Sequence, residues 1–195
     1  VVLVDELIDA YHGILGEADF LSDTTRAAAI EKLDSIDIRV LFPDSWEKYG
    51  CEELNFAGPE DGGTLWEARR AIREYQMAET VRDYSGPVDK QKWDATPQTV
   101  NCCYNPENNS LMILGAYAQG DNYNSDMSDE ELLGKIGAVI GHEISHAFDA
   151  YGSQFDKDGN MANWWTDEDL AAFQTRNQKL EDYFNAMHPW AGQDF

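Results

Sequence analysis

Residues 138 to 149 read Ala-Val-Ile-Gly-His-Glu-Ile-Ser-His-Ala-Phe-Asp, which sets His142 and His146 four apart with Glu143 directly after the first. On a helix that spacing stacks both imidazoles on one face, a turn apart, where they can share a single metal ion. Glu143, one residue round from His142, can reach a water on that ion and take its proton. The pattern arises by chance in under about 1% of shuffled chains of this composition. The competing view, two histidines satisfied inside a buried helix, therefore carries little weight.

The helix itself is well signalled. Ser128 and Glu131 form a capping box, with Met127 and Leu132 placed as a hydrophobic staple across the same turn. Leu132, Leu133, Ile136, Val139 and Ile140 then supply an apolar face, and Gly152 is the expected stop. The residues after the motif narrow the chemistry. A site whose third ligand is a further histidine needs Gly three and His six residues after His146, where this chain has Asp149 and Gly152. The remaining common zinc arrangement takes a Glu from a separate helix further along.

Several segments together resemble one family. Residues 139 to 149, Phe-Asp-Lys-Asp-Gly-Asn at 155 to 160 and Trp-Trp-Thr at 164 to 166 are similar to the neprilysin family of zinc metallopeptidases, the M13 peptidases. Upstream, residues 96 to 101 followed by Tyr104-Asn105-Pro106 resemble that family's substrate-binding edge strand. The stretch from Ser22 to Pro43 and Pro87-Val88-Asp89 read like its bacterial members. The resemblance implies that His142 and His146 are zinc ligands and that Glu143 is the catalytic base. It matches Asp149 to an outer partner that orients a ligand imidazole. It also implies substrate contacts from Asn101 and Cys102 on the edge strand, and from Val139 lining the pocket for the residue after the cut bond. The implied fold is α+β and predominantly helical: a thermolysin-like zincin half with a small β-hairpin beside the motif helix, preceded by a helical region.

The chain also departs from the family. Asn101-Cys102-Cys103 stands where Asn-Ala-aromatic is usual, and residues 113 to 118 read Ile-Leu-Gly-Ala-Tyr-Ala in place of Phe-Pro-Ala-Gly-Ile-Leu. The family's third ligand, a Glu, and its later His and Arg have no counterpart before Phe195. The third zinc ligand is accordingly expected beyond Phe195, and the chain is expected to be a fragment with little activity alone. Glu168 and Glu181 follow His146 at workable separations, but Glu168 lies in the first turn of a helix opened by Thr166, where acids favour the helix dipole.

Composition sets outer limits. A net charge of −23, with acids dispersed along the chain, argues against nucleic acid or anionic membranes as partners. No apolar run is long enough to span a membrane. Three cysteines, two of them adjacent, argue against a disulfide framework. A reducing compartment, the cytoplasm, is the simplest home, with an exported bacterial protein as the alternative.

Two halves are expected. Residues 1 to 90 read as mainly helical, from Leu3, Leu7, Ile8, Tyr11 and Leu15 and again from Leu65, Ala68, Ile72 and Tyr75, with a short strand at residues 36 to 40 and a loop at 58 to 63. Residues 91 to 195 read as a partial catalytic domain: strands near 98 to 104 and 110 to 114, the motif helix, and a helix from about 167 to 186. Asp156 to Asn160 reads as a tight turn, because its glycine and acids miss a calcium loop's spacing. Trp164 and Trp165 read as packing under the motif helix, and His12 and His188 as ordinary side chains. The expected function is hydrolysis of oligopeptides by a zinc-activated water, with Glu143 as general base. The alternative is a non-catalytic peptide-binding module that keeps the fold.

Overall fold

The computed structural model describes residues 2–44, 54–87 and 89–187. Val88, His188 and Cys51 lie outside them. The described chain forms two compact units, one of residues 1–42 with 96–195 and the other of residues 43–95. The expected division near residue 90 therefore falls differently, and strand pairing is the reason.

Helix α1 (Val2–Glu17) and helix α2 (Asp23–Asp34) are followed by strand β1 (Asp37–Leu41). Strand β1 pairs in parallel with β3 (Ser110–Leu114), matching Ile38 to Leu111 and Val40 to Ile113. Strand β2 (Cys102–Asn105) closes the predicted antiparallel hairpin on β3, so the sheet order is β1-β3-β2 with β2 at an edge. All five residues of β3 are buried, as a central strand covered on both faces requires. β2 begins at Cys102 and not near residue 98, because Thr99 N–H turns back onto the Thr96 carbonyl at 2.9 Å.

In the second unit, helix α3 (Leu65–Ser85) follows the loop at 58 to 63 and opens with a full capping box. The Thr64 hydroxyl accepts from Glu67 N–H, and the Glu67 carboxylate accepts from Thr64 N–H.

The motif helix is capped as expected: Ser128 Oγ accepts from Glu131 N–H, and Glu131 returns to Ser128 N–H. It runs as α4 (Asp129–Leu132), a π-helical turn over Leu133–Gly137, and α5 (Ala138–Ser145). It stops at Ser145, well before the expected stop at Gly152. His146, Ala147 and Phe148 each donate to the carbonyl three residues back, tightening the helix end into 3-10 turns. Gly152 serves a different purpose, since a Cβ there would lie 1.8 Å from the His146 carbonyl oxygen. Only glycine lets the returning chain pass that close to the helix end.

The core of the first unit joins Val4 and Leu15 of α1, Ala29 and Leu33 of α2, Leu111 and Ile113 of β3, and Ile140 and Ile144 of α5. Tyr11 Oη donates to the Gly141 carbonyl at 2.7 Å, tying α1 to the motif helix one residue before His142. Helix α6 (Asp167–Asn185) begins at Thr166, whose hydroxyl accepts from Asp169 N–H. Asp156 to Asn160 is the predicted tight turn: Asp156 Oδ1 accepts from the N–H groups of Asp158 and Asn160.

Candidate active site

Helix α5 presents His142, and its first residue past the end is His146. The two ring centroids are 4.6 Å apart and meet edge to face. One ligand atom from each of His142, Glu143 and His146 lies within 4.8 Å of the others. Two imidazoles and a carboxylate at such spacing suit zinc, which favours nitrogen and oxygen donors. His142 is exposed and Glu143 and His146 are half-buried, so the cluster opens to solvent.

Asp149 closes on His146 from beyond the helix. Its Oδ2 meets His146 Nδ1 at 2.6 Å, which leaves Nε2 to face a metal. Its Oδ1 accepts from Tyr151 N–H and Gly152 N–H at 2.9 and 2.7 Å. Burial alone raises the Asp149 pKa, but the hydrogen bonds from His146 and these two amides together bring it below the ordinary carboxylate value. A carboxylate held ionised beside Nδ1 favours the tautomer a metal needs.

Glu143 reaches the sheet edge, where its Oε2 accepts from Tyr104 N–H at 3.0 Å. Leu114 N–H donates to the Asn101 carbonyl, so bonded pairs alternate from there and the backbone groups of Cys102 and Tyr104 face the open edge. Cys102 is buried, and burial pushes its thiol up to about 12, with Glu143 adding to the shift. The thiol is therefore neutral and unreactive. Asn101 is exposed and stands just before β2, its carbonyl already spent on Leu114. Val139 is half-buried and packs against the hydrophobic core.

Among the described residues, no second set of three or more His, Cys, Asp or Glu side chains brings its ligand atoms close enough together to hold a metal ion. Glu168 and Glu181 are exposed on α6. It is Asp169, buried beside them, that the fold uses, accepting from Ser22 Oγ at 2.5 Å and from Ser22 N–H. Trp164 and Trp165 pack against the core and donate to the carbonyls of Phe155 and Ser153, as structural residues do. His12 pairs with Asp34 at 2.8 Å.

Three contributors were not anticipated: Tyr104 through its amide, Asn109 and Lys32. Asn109 is buried and accepts from Tyr104 Oη at 2.6 Å while donating to the carbonyls of Lys32 and Lys157. Lys32 is 1% exposed, and its ammonium donates to the carbonyls of Ala147, Gly152 and Phe155. Burial lowers its pKa from 10.5 to about 8 against the pull of Asp156 and Asp149, so it is charged at neutral pH. A signal for Lys32 does exist, since Thr25, Ala29, Lys32 and Leu33 share one helical face and all four are buried.

A helix with paired histidines and an adjacent glutamate, set against a three-stranded sheet with an open edge, defines a zincin-type metallopeptidase scaffold. Residues 101–194 match the family model described as Peptidase family M13, and the chain belongs to that family. A neutral endopeptidase of Lactococcus lactis subsp. cremoris is 36% identical over 190 residues, 97% of this chain and 30% of that protein. Among solved structures, the zinc metalloprotease ZMP1 of Mycobacterium tuberculosis in complex with an inhibitor is 35% identical with a TM-score of 0.82, over 96% of this chain and 28% of its own. PEPO from Lactobacillus rhamnosis is 27% identical with a TM-score of 0.85, over 96% and 29%. The chain thus spans about 30% of the length of the curated relatives it matches.

Proposed function

We propose that these residues carry the metal helix and the general base of an endopeptidase acting on oligopeptides. The observation that carries this is the convergence of His142, Glu143 and His146 within 4.8 Å, with the base tethered to a sheet edge. His142 and His146 would hold zinc, and the third protein ligand usual in catalytic sites is proposed to be a glutamate outside the described residues. Zinc bound there would supply a Lewis acid that acidifies a water molecule.

The chain's own residues do the rest. Glu143 Oε2 is engaged by Tyr104 N–H, which leaves Oε1 to accept the proton and later pass it to the departing amine. Asp149 fixes the His146 ring by its Nδ1 contact. A peptide lying extended along the open edge of β2 would pair with the N–H and C=O of Cys102, next to Glu143, by strand addition. Side-chain contacts from Asn101 and Val139 are proposed only by resemblance to the family. The charge of −23 supports a peptide and not a nucleic acid as partner. A reducing compartment, the cytoplasm in the simplest case, is proposed from the cysteine usage, three in all with two adjacent, and an exported bacterial protein is the alternative.

The test is metal dependence of cleavage by the intact protein. A fluorogenic oligopeptide should be cut at an internal bond, a chelator should stop the reaction, and added zinc should restore it. Cleavage that persists after complete metal removal would exclude this function. Peptide binding without cleavage at saturating zinc would favour the non-catalytic module.

A further inference from the structure

We propose that Lys32 is a positioning residue of the metal site: its ammonium fixes the turn that carries His146 and Asp149. The proposal rests on the zinc reading of His142, Glu143 and His146 above.

The ammonium spends its three donors on Ala147 O at 2.8 Å, Gly152 O at 2.7 Å and Phe155 O at 2.7 Å. The first acceptor belongs to the residue directly after His146. Carbonyls at a helix end lack intrahelical partners and form the negative end of the helix dipole, so a buried cation there answers both needs. The second acceptor, Gly152, is gripped from its other side by Asp149, whose Oδ1 accepts Gly152 N–H while its Oδ2 meets His146 Nδ1. Lys32, Gly152, Asp149 and the His146 ring thus form one continuous chain of hydrogen bonds.

The main chain of Lys32 reaches the other half of the site. Its carbonyl accepts from Asn109 Nδ2, Asn109 Oδ1 accepts from Tyr104 Oη, and the amide of Tyr104 holds Glu143. One residue of α2 is therefore tied both to the turn bearing the second histidine and to the strand holding the base. A merely space-filling role would be met by an apolar side chain, at no desolvation cost. Three convergent carbonyls, with the Trp164 ring 5.7 Å from the ammonium, call for a cation instead.

The experiment measures zinc affinity of the intact protein by competition with a chromophoric chelator, for the parent, Lys32→Met, Asp149→Ala and the double variant. Lys32→Met is expected to weaken zinc about 10- to 100-fold, the usual loss for an outer partner of a ligand. Because both residues act through Gly152, the double variant should bind zinc no more than about threefold more weakly than Asp149→Ala alone. A folded Lys32→Met variant with a lower melting temperature but parental zinc affinity would reduce Lys32 to a structural residue and overturn the proposal. Should Lys32→Met not fold, Gly152→Ala presses on the His146 carbonyl without emptying the lysine cradle, and should weaken zinc to a similar degree. Parental zinc affinity in Gly152→Ala would likewise overturn the proposal. A parent that binds no zinc would overturn the metal reading itself, and this role with it.

Discussion

The amide of Tyr104 donates to Glu143 Oε2 at 3.0 Å, so the open edge of the sheet and the metal helix meet at the proposed base. The contact uses a backbone N–H, which no substitution at position 104 other than proline removes. A peptide paired to the same edge would lie beside Glu143 by construction of the sheet.

The other end of Tyr104 is buried against Asn109, with Oη donating to Oδ1 at 2.6 Å. Burial raises the phenol above its ordinary pKa, so it stays a donor into alkaline solution. Tyr104→Phe should leave a buried acceptor unsatisfied and cost about 1–3 kcal/mol in urea unfolding. A change below about 0.5 kcal/mol would mean that Asn109 repairs the loss locally.

Asp149 should govern zinc more than it governs the fold. Asp149→Ala frees Nδ1 of His146 and removes the acceptor of two amides. Zinc affinity by chelator competition should fall about 10- to 100-fold. Unchanged affinity would show that the His146 ring is held by other means.

Acid stability should report Asp169. Hydrogen bonds from Ser22 foremost, then Thr25 and Thr166, lower its pKa from 3.8 to about 2. Between these values the unfolded chain binds the proton and the folded chain does not. The carboxylate's stabilising contribution is complete above about pH 4 and is lost as pH falls from there through about 2. Thermal unfolding followed from pH 5 to pH 2 should show a shallower decline in Asp169→Asn than in the parent, and parallel curves would contradict the assignment.

Gly159 should resist substitution. Its φ is +80°, and a Cβ would lie 2.1 Å from the Glu107 carbonyl oxygen in the β2–β3 loop. Gly159→Ala should lose at least about 1–2 kcal/mol from the left-handed backbone alone. Urea unfolding at parental denaturant concentrations would contradict this.

Much of this was legible along the chain because it is local. The caps at Ser128 and Thr166, the periodicity of α1 and α3 and the hairpin around residues 105 to 109 each depend on neighbours within a few residues. The histidine pair was legible for the same reason, since a four-residue spacing is a local geometry. What escaped is non-local. Nothing in residues 37 to 41 announces that they pair with residues 110 to 114, yet that pairing draws the N-terminal helices into the same unit as the metal helix. The motif helix stops at Ser145, and the carbonyls of Ala147 and Gly152 in the turn beyond it are taken up by Lys32, over a hundred residues earlier. Asn109 looked like a loop residue, and its burial depends on Tyr104, Lys32 and Lys157 all arriving at one point.

The central claim is that Glu143 moves protons at a site whose metal is held by the two histidines. The most direct test compares the intact protein with its Glu143→Gln variant for both zinc content and oligopeptide cleavage. Zinc should remain at the parental level while cleavage falls by about 100-fold or more. Cleavage at the parental rate in the zinc-loaded variant would show that Glu143 is not the base.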